Sequence, residues 1–207
     1  MDDSGHRVLI EPGEDAVRTY TDEEEEQIAR NLLAVTREVH AGDWGGRRSD
    51  ERLAAGLHQR MFVGVRDHAG RFRGPDRGTE NLVFGPHRAV ARDLVAGELA
   101  GLFKTLRRSI DSFDRNQDAD DYEAGAIHVA VWAHAELIRI HPFEDGNGRT
   151  GRLLANAVLV RLGLRPVAVE ACREEYLAVL NHYYVAKEIE PLRDLYLRLA
   201  AEQLPGD

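Results

Sequence analysis

A single cysteine, Cys172, stands among the 207 residues, so no internal disulfide can form. No window approaches the run of about 20 apolar residues that a membrane helix needs, so no membrane association is expected. Nor is there a basic excess: 27 Lys and Arg face 36 Asp and Glu, a net charge of −9. Direct nucleic-acid binding, which depends on neutralising phosphates, is therefore not expected. Met1 is followed by Asp2, Asp3 and Ser4, with neither the basic start nor the apolar stretch of a secretory signal. With the lone thiol, this gives a cytoplasmic location as the expectation. Zinc-hydrolase His-Glu-x-x-His and esterase Gly-x-Ser-x-Gly patterns are both missing.

What is present suits a globule: 43% hydrophobic and 30% charged residues, in a length that fits one domain with an appendage. The acidity is concentrated at the start. Residues 1 to 30 hold ten acids against three arginines, and the remainder of the chain is close to neutral. Between Arg47 and Arg88 the arginines cluster, which suits either an acidic partner or nucleotide, or a solvated and internally paired face; the second is the commoner outcome.

Local patterns predict helices almost throughout. Residues 1 to 20 lack apolar periodicity and form a tail. Thr21 followed by Glu24 has the spacing of a capping box, so a helix should start there, bury Ile28, Leu32, Val35 and Val39, and stop in the glycines at 42 to 46. A second should start at Ser49 or Asp50 and bury Leu53, Leu57, Met61 and Phe62. Phe72 and the Leu82-Val83-Phe84 run flank the turn cluster 74–78, which predicts a small β-hairpin near residues 70–86. Helical spacing resumes from Val90 to Leu106, a polar linker covers 114–121, and a largely buried helix carries Ile127, Val131, Leu137 and Ile138. Further helices are expected over about 148–162, 174–186 and through Leu192, Leu195, Tyr196 and Leu199. The fold class is all-α, a helical bundle with one hairpin.

One segment concentrates chemistry: His141-Pro142-Phe143-Glu144-Asp145-Gly146-Asn147-Gly148-Arg149-Thr150-Gly151-Arg152. Pro142 disfavours the α conformation at His141, so the preceding helix should end there and leave the imidazole at a helix terminus, where it can reach solvent. Asp145-Gly146 and Asn147-Gly148 are turn signals, and an apolar stripe from Leu153 onward opens a new helix. A glycine-rich loop feeding a helix N-terminus presents amide groups and the positive end of the dipole, a site for phosphate. Arg149 and Arg152 share one face of the first turn and could grip further phosphate oxygens. Asp145 is a hard oxygen donor of the kind that suits Mg²⁺ on a nucleotide, and Phe143 is the apolar anchor of the loop. A Walker-type loop is disfavoured because Arg152-Leu153 replaces the required Lys and Ser or Thr.

This segment resembles the active-site motif of the Fic family, His-x-Phe-x-Asp/Glu-Gly-Asn-Gly-Arg-x-x-Arg, with every specified position filled. The resemblance implies an acidic N-terminal tail and helix over 1–48 and a Fic-like catalytic domain over 49–204, with the hairpin as the flap that registers a target chain. It implies transfer of AMP from ATP to a Tyr, Ser or Thr hydroxyl of a target protein. His141 would be the general base and Asp145 the Mg²⁺ ligand. Gly146, Asn147 and Gly148 would cradle the α-phosphate, and Arg149 and Arg152 would hold the β- and γ-phosphates. Gly148 stands where the phosphorylating branch of the family has Lys, which favours nucleotidyl transfer. The family's self-inhibitory pattern, Ser/Thr-x-x-x-Glu-Gly/Asn, is not matched; Thr21 and Glu25 come nearest, but Glu26 follows. Two alternatives stay open: a module that binds nucleotide or phosphate without turnover, and the toxin of a toxin–antitoxin pair held by a separate inhibitor. Outside the motif, His58, His68, His87, His128 and His134 read as core or surface histidines, Cys172 as a small buried hydrophobe, and Trp44 and Trp132 as packing anchors. Tyr176, Tyr183 and Tyr184 fit packing better than a base pocket.

Overall fold

A computed structural model describes residues 20–80, 82–84, 87–115, 121–169 and 172–203. Almost all of the expected tail and most of the polar linker lie outside these residues. The described residues form seven helices: α1 (Asp22–His40), α2 (Glu51–Phe62), α3 (Val95–Asp114), α4 (Tyr122–Ile140), α5 (Asn147–Arg161), α6 (Arg173–Ala186) and α7 (Glu190–Glu202). A two-stranded ribbon of β1 (Val83–Phe84) and β2 (His87–Arg88) is the only sheet among the described residues. The architecture is the helical bundle with one small hairpin that the sequence predicts. No described helix is long and apolar enough to cross a membrane.

The helix starts follow their caps. Thr21 Oγ1 accepts from the Glu24 amide at 3.2 Å while the Glu24 carboxylate accepts from the Thr21 amide at 3.0 Å, and four acids in the first turn face the positive end of the dipole. Asp50 caps α2 through the Arg52 amide. Helix α4 is buried on nearly all sides and forms the axis of the bundle, packing against α3, α5, α6 and α7. Its contact with α5 is close because position 151 is glycine: a Cβ there would lie 2.8 Å from the His134 ring. His134 is itself fully buried between the hydroxyls of Tyr176 (2.9 Å) and Tyr196 (3.2 Å), which ties α4 to α6 and α7.

Two boundaries differ from expectation, and one residue explains both. The ladder pairs Val83 with Arg88 and Phe84 with His87, so the hairpin lies later than a turn at 74–78 would place it. Residues 74 and 77 close their own small turn. Phe72 does not enter the ribbon because the next residue is drawn elsewhere. The Arg73 amide donates to the Pro142 carbonyl at 2.7 Å, and its guanidinium is buried among carbonyls. One of those carbonyls belongs to Val90, at 2.9 Å from Arg73 Nη2. Val90 thus serves as an acceptor for Arg73, and α3 starts only at Val95 despite the helical spacing before it.

Candidate functional site

The site is built where α4 stops and α5 begins. His141 caps α4 in the left-handed conformation (φ 53°, ψ 58°), its amide donating to Leu137 O at 3.0 Å. Pro142 forbids helix continuation, and Arg73 pins the chain at this exit. Arg73 Nε donates to His141 O at 2.8 Å and Nη2 to Ile140 O at 3.2 Å, while Nη1 reaches Thr79 O at 3.0 Å. A buried cation thereby fills the negative end of the α4 dipole and joins it to the segment leading into the hairpin. A second tie runs parallel: the Glu144 carboxylate accepts from the Thr79 amide and, at 2.9 Å, from the Thr79 hydroxyl.

The loop is anchored from inside. Phe143 is fully buried and stacks on His58 with ring centroids 3.9 Å apart. Asn147 closes over the Phe143 backbone, Nδ2 donating to its carbonyl at 3.0 Å and Oδ1 accepting from its amide at 2.9 Å. Gly146 turns left-handed (φ 69°) and caps α5; a Cβ there would sit 2.4 Å from the Phe62 ring, so only glycine fits. Its carbonyl accepts both the amide and the hydroxyl of Thr150 at 2.8 Å. His58 accepts the Gly70 amide on Nδ1 at 2.8 Å, so its Nε2 carries the proton it donates to the Asp145 carbonyl at 3.2 Å.

The side chains expected to carry chemistry converge here, in an environment that sequence did not disclose. His141 is 1% exposed, contrary to the expectation of a solvent-reaching imidazole. It lies under Phe84 of the hairpin, the rings stacked at 4.5 Å and 16°. Neither ring nitrogen makes a hydrogen bond of normal geometry. Burial, with the nearby Arg73 charge, pushes its pKa down to about 3; the Ile138 carbonyl offsets part of that. Asp145 is fully buried as well. Its Oδ2 accepts from the Tyr20 hydroxyl, and Oδ1 has no hydrogen-bond partner, with His68 Nε2 at 3.8 Å and His58 Nε2 at 3.9 Å. Arg149 lies over the Phe62 ring at 5.1 Å. Arg149 and Arg152 together line a depression of about 200 Å³ that is closed by Leu32, Thr36 and His40 of α1 and by residues 166–168.

Sequence reasoning missed Arg73, Glu144, Tyr20 and the supporting role of His58. Arg73 was hidden in an arginine-rich run. Tyr20 acts across 125 positions, for which no local pattern exists.

His58, His134 and His141 are all buried and held neutral down to about pH 3, burial being the main cause in each. In the unfolded chain such rings take up a proton near pH 6.5. Between those limits the unfolded state binds more protons, so stability falls with falling pH, by about 1.4 kcal/mol per unit for each ring. Above about pH 7 the three contribute no slope. Lowering the pH from 7 to 5 should therefore depress the thermal midpoint steeply in calorimetry, and a flat profile over that window would contradict the burial of these rings.

Comparison with known proteins agrees with this geometry. The Fic/DOC family profile matches residues 49–159, more than half of the chain. This chain belongs to the Fic/DOC family. Among curated proteins, the protein adenylyltransferase Fic of Culex quinquefasciatus is 39% identical over 87 residues, covering 37% of this chain and 17% of that protein. Its counterpart in Drosophila persimilis is 54% identical over 120 residues, covering 53% and 22%. The chain thus spans about a fifth of the length of these relatives. Among solved structures, a Fic-domain-containing signaling protein of Bacteroides thetaiotaomicron superposes with a TM-score of 0.66 at 20% identity, covering 90% of this chain and 72% of that one. BepC of Bartonella tribocorum, solved with bound AMPPNP, gives 0.65 at 16% identity, covering 93% and 95%. At those identities the likeness is one of fold.

Proposed function

We propose that this chain is a protein adenylyltransferase that moves AMP from ATP to a Tyr, Ser or Thr hydroxyl of a target protein. The observation that carries the reading is the joining, in one rigid loop, of a neutral buried imidazole, an orphaned carboxylate oxygen and a helix N-terminus flanked by two arginines. Names of the relatives support the same chemistry: the curated ones are called protein adenylyltransferases, and BepC was solved with an ATP analogue.

The arrangement divides the work. Gly146 and the first amides of α5 form the anion cradle. Asn147 contributes through its main chain, because its side chain is committed to Phe143. Arg149 and Arg152 supply positive charge for the β- and γ-phosphates and for the departing pyrophosphate. Asp145 Oδ1, buried without a donor, fits a hard cation. No cluster of three protein ligands exists among the described residues, so the rest of a Mg²⁺ shell would come from phosphate oxygens and water, as that ion prefers. When bound, Mg²⁺ would neutralise phosphate charge. His141 removes the acceptor's hydroxyl proton as the oxygen attacks the α-phosphorus and pyrophosphate leaves. An imidazole kept unprotonated by burial is in the state this task requires, and a base so weak accepts the proton late, once attack has acidified the hydroxyl.

For this to happen Phe84 must move off the His141 ring, which assigns to the β1–β2 ribbon the role of a flap over the base. The test is intact-mass analysis after incubation with Mg²⁺ and each nucleoside triphosphate in turn, alone and with candidate acceptor proteins. A gain of one nucleoside monophosphate with ATP supports the reading. Tight nucleotide binding with no mass gain on any protein would assign a binding module instead.

A further inference from the structure

Tyr20, immediately before the α1 cap, reaches the loop between α4 and α5 and donates its hydroxyl hydrogen bond to Asp145 Oδ2. Several contacts hold it there. The Arg66 guanidinium lies over the Tyr20 ring, 4.4 Å from its centroid. Arg66 is itself clamped by the carboxylate of Glu24, the residue that completes the α1 capping box. The ring also packs on the small apolar cluster of Ile28, Met61 and Phe62. Phe62 in turn abuts Gly146 and carries Arg149 over its face. Tyr20 is thus a docked residue, fixed by a cation, an apolar floor and the start of a well-capped helix. Among the described residues its hydroxyl is the only hydrogen-bond donor to this buried carboxylate, since His58 and His68 stand at 3.9 and 3.8 Å from Oδ1.

We infer that Tyr20 is a tethered competitor of the divalent cation at Asp145, so that the segment entering α1 lowers the affinity of the site for metal-bound nucleotide until it is displaced. This rests on the proposed placement of the cation at Asp145. A carboxylate engaged by a hydroxyl donor whose ring carries the Arg66 guanidinium has both less free lone-pair space and a nearby positive charge, and each opposes a second cation. The apparent affinity of a site whose competent form is a minor population falls by that population. A hydrogen bond to a charged acceptor shifts such an equilibrium about tenfold or more. The device differs in kind from one acting on the motif arginines, because it acts at the opposite end of the phosphate chain and uses a neutral side chain.

The experiment follows Mn²⁺ as a paramagnetic probe, titrated into the full chain with a non-hydrolysable ATP analogue and read by electron paramagnetic resonance. Wild type, Tyr20→Phe, Arg66→Gln and Asp145→Asn are compared. Tyr20→Phe keeps the ring and its packing and loses only the hydroxyl, so folding is preserved. It is expected to bind Mn²⁺ about tenfold more tightly than wild type, with Arg66→Gln between the two and Asp145→Asn losing the bound signal. Unchanged or weaker binding by Tyr20→Phe overturns the inference while leaving the function intact; weaker binding would make the hydroxyl a supporter of the ion. Loss of Mn²⁺ binding in every protein, Asp145 variant or not, overturns the metal assignment and this inference together. Tighter binding by Tyr20→Phe with no transfer to any acceptor supports the inference and counts against the transferase reading.

Discussion

His141→Ala is expected to lower transfer by a factor of about 10² to 10⁴, the range for removing a positioned general base, while nucleotide binding changes little. The two effects separate because they come from different atoms. Phosphate contacts are expected from the start of α5 and from Arg149 and Arg152, whereas the imidazole sits on the other side of Pro142 beneath Phe84. Alanine is not a neutral control here, since His141 occupies the left-handed region, which costs a side chain with a Cβ about 1–2 kcal/mol. Asparagine tolerates that backbone better. His141→Asn should therefore match the wild-type fold more closely while showing the same loss of transfer. Rates come from the time course of the mass gain, and binding from titration of a nucleotide analogue. Transfer within tenfold of wild type in both variants would remove His141 from the base role.

Arg73→Met should destabilise the fold by about 4 kcal/mol or more, on the figure of at least about 1 kcal/mol for each buried acceptor left without its donor. Four carbonyls lose their partner at once: Ile140 and His141 at the end of α4, Thr79 before the hairpin and Val90 after it. Against a total of about 5–15 kcal/mol for a typical domain, that is a large fraction. Burial makes the charge costly and lowers the Arg73 pKa, with Glu144 partly opposing this. The carbonyl cage offsets the penalty, and the wild-type arrangement depends on every part of it. Arg73→Lys should recover less than half of the loss, because one ammonium cannot span carbonyls on three separate segments. Chemical denaturation followed by circular dichroism measures both. A loss below about 1 kcal/mol for Arg73→Met would show that water replaces the guanidinium at little cost.

Local chemistry was legible where it is local. Thr21 and Asp50 announced the starts of α1 and α2, Pro142 announced the end of α4, and the Asp-Gly and Asn-Gly pairs announced the turn into α5. The segment around the hairpin was misjudged in detail because Phe72, Val90 and the turn glycines all carried sound local signals that one distant requirement overrode. That requirement, the need of α4's last carbonyls for a donor, is written at position 73, nearly seventy residues from the carbonyls it serves. The burial of His141 failed for a similar reason: its cover is Phe84, and nothing near position 141 encodes it. The motif placed His141, Asp145 and the arginines in one loop and one helical turn; it could not disclose Tyr20 beside the carboxylate or the α1 wall beside the arginines.

The ribbon over the base is a ladder of two residue pairs, extended by the Ala89 amide on the Leu82 carbonyl and tied to α6 through His87 and Asn181, whereas the stretch of chain beside it is riveted by Arg73 and Glu144. Rigidity therefore changes abruptly within about ten residues. Amides near 140–147 are expected to exchange with solvent only when much of the bundle comes apart, while those of Val83, Phe84, His87 and Arg88 are expected to need the parting of a short ladder and its ties to α6. The two halves of the site live on separate clocks. On the proposed reading, an incoming chain would be sampled and rejected at the ribbon many times over while His141, Gly146 and Asp145 keep their places.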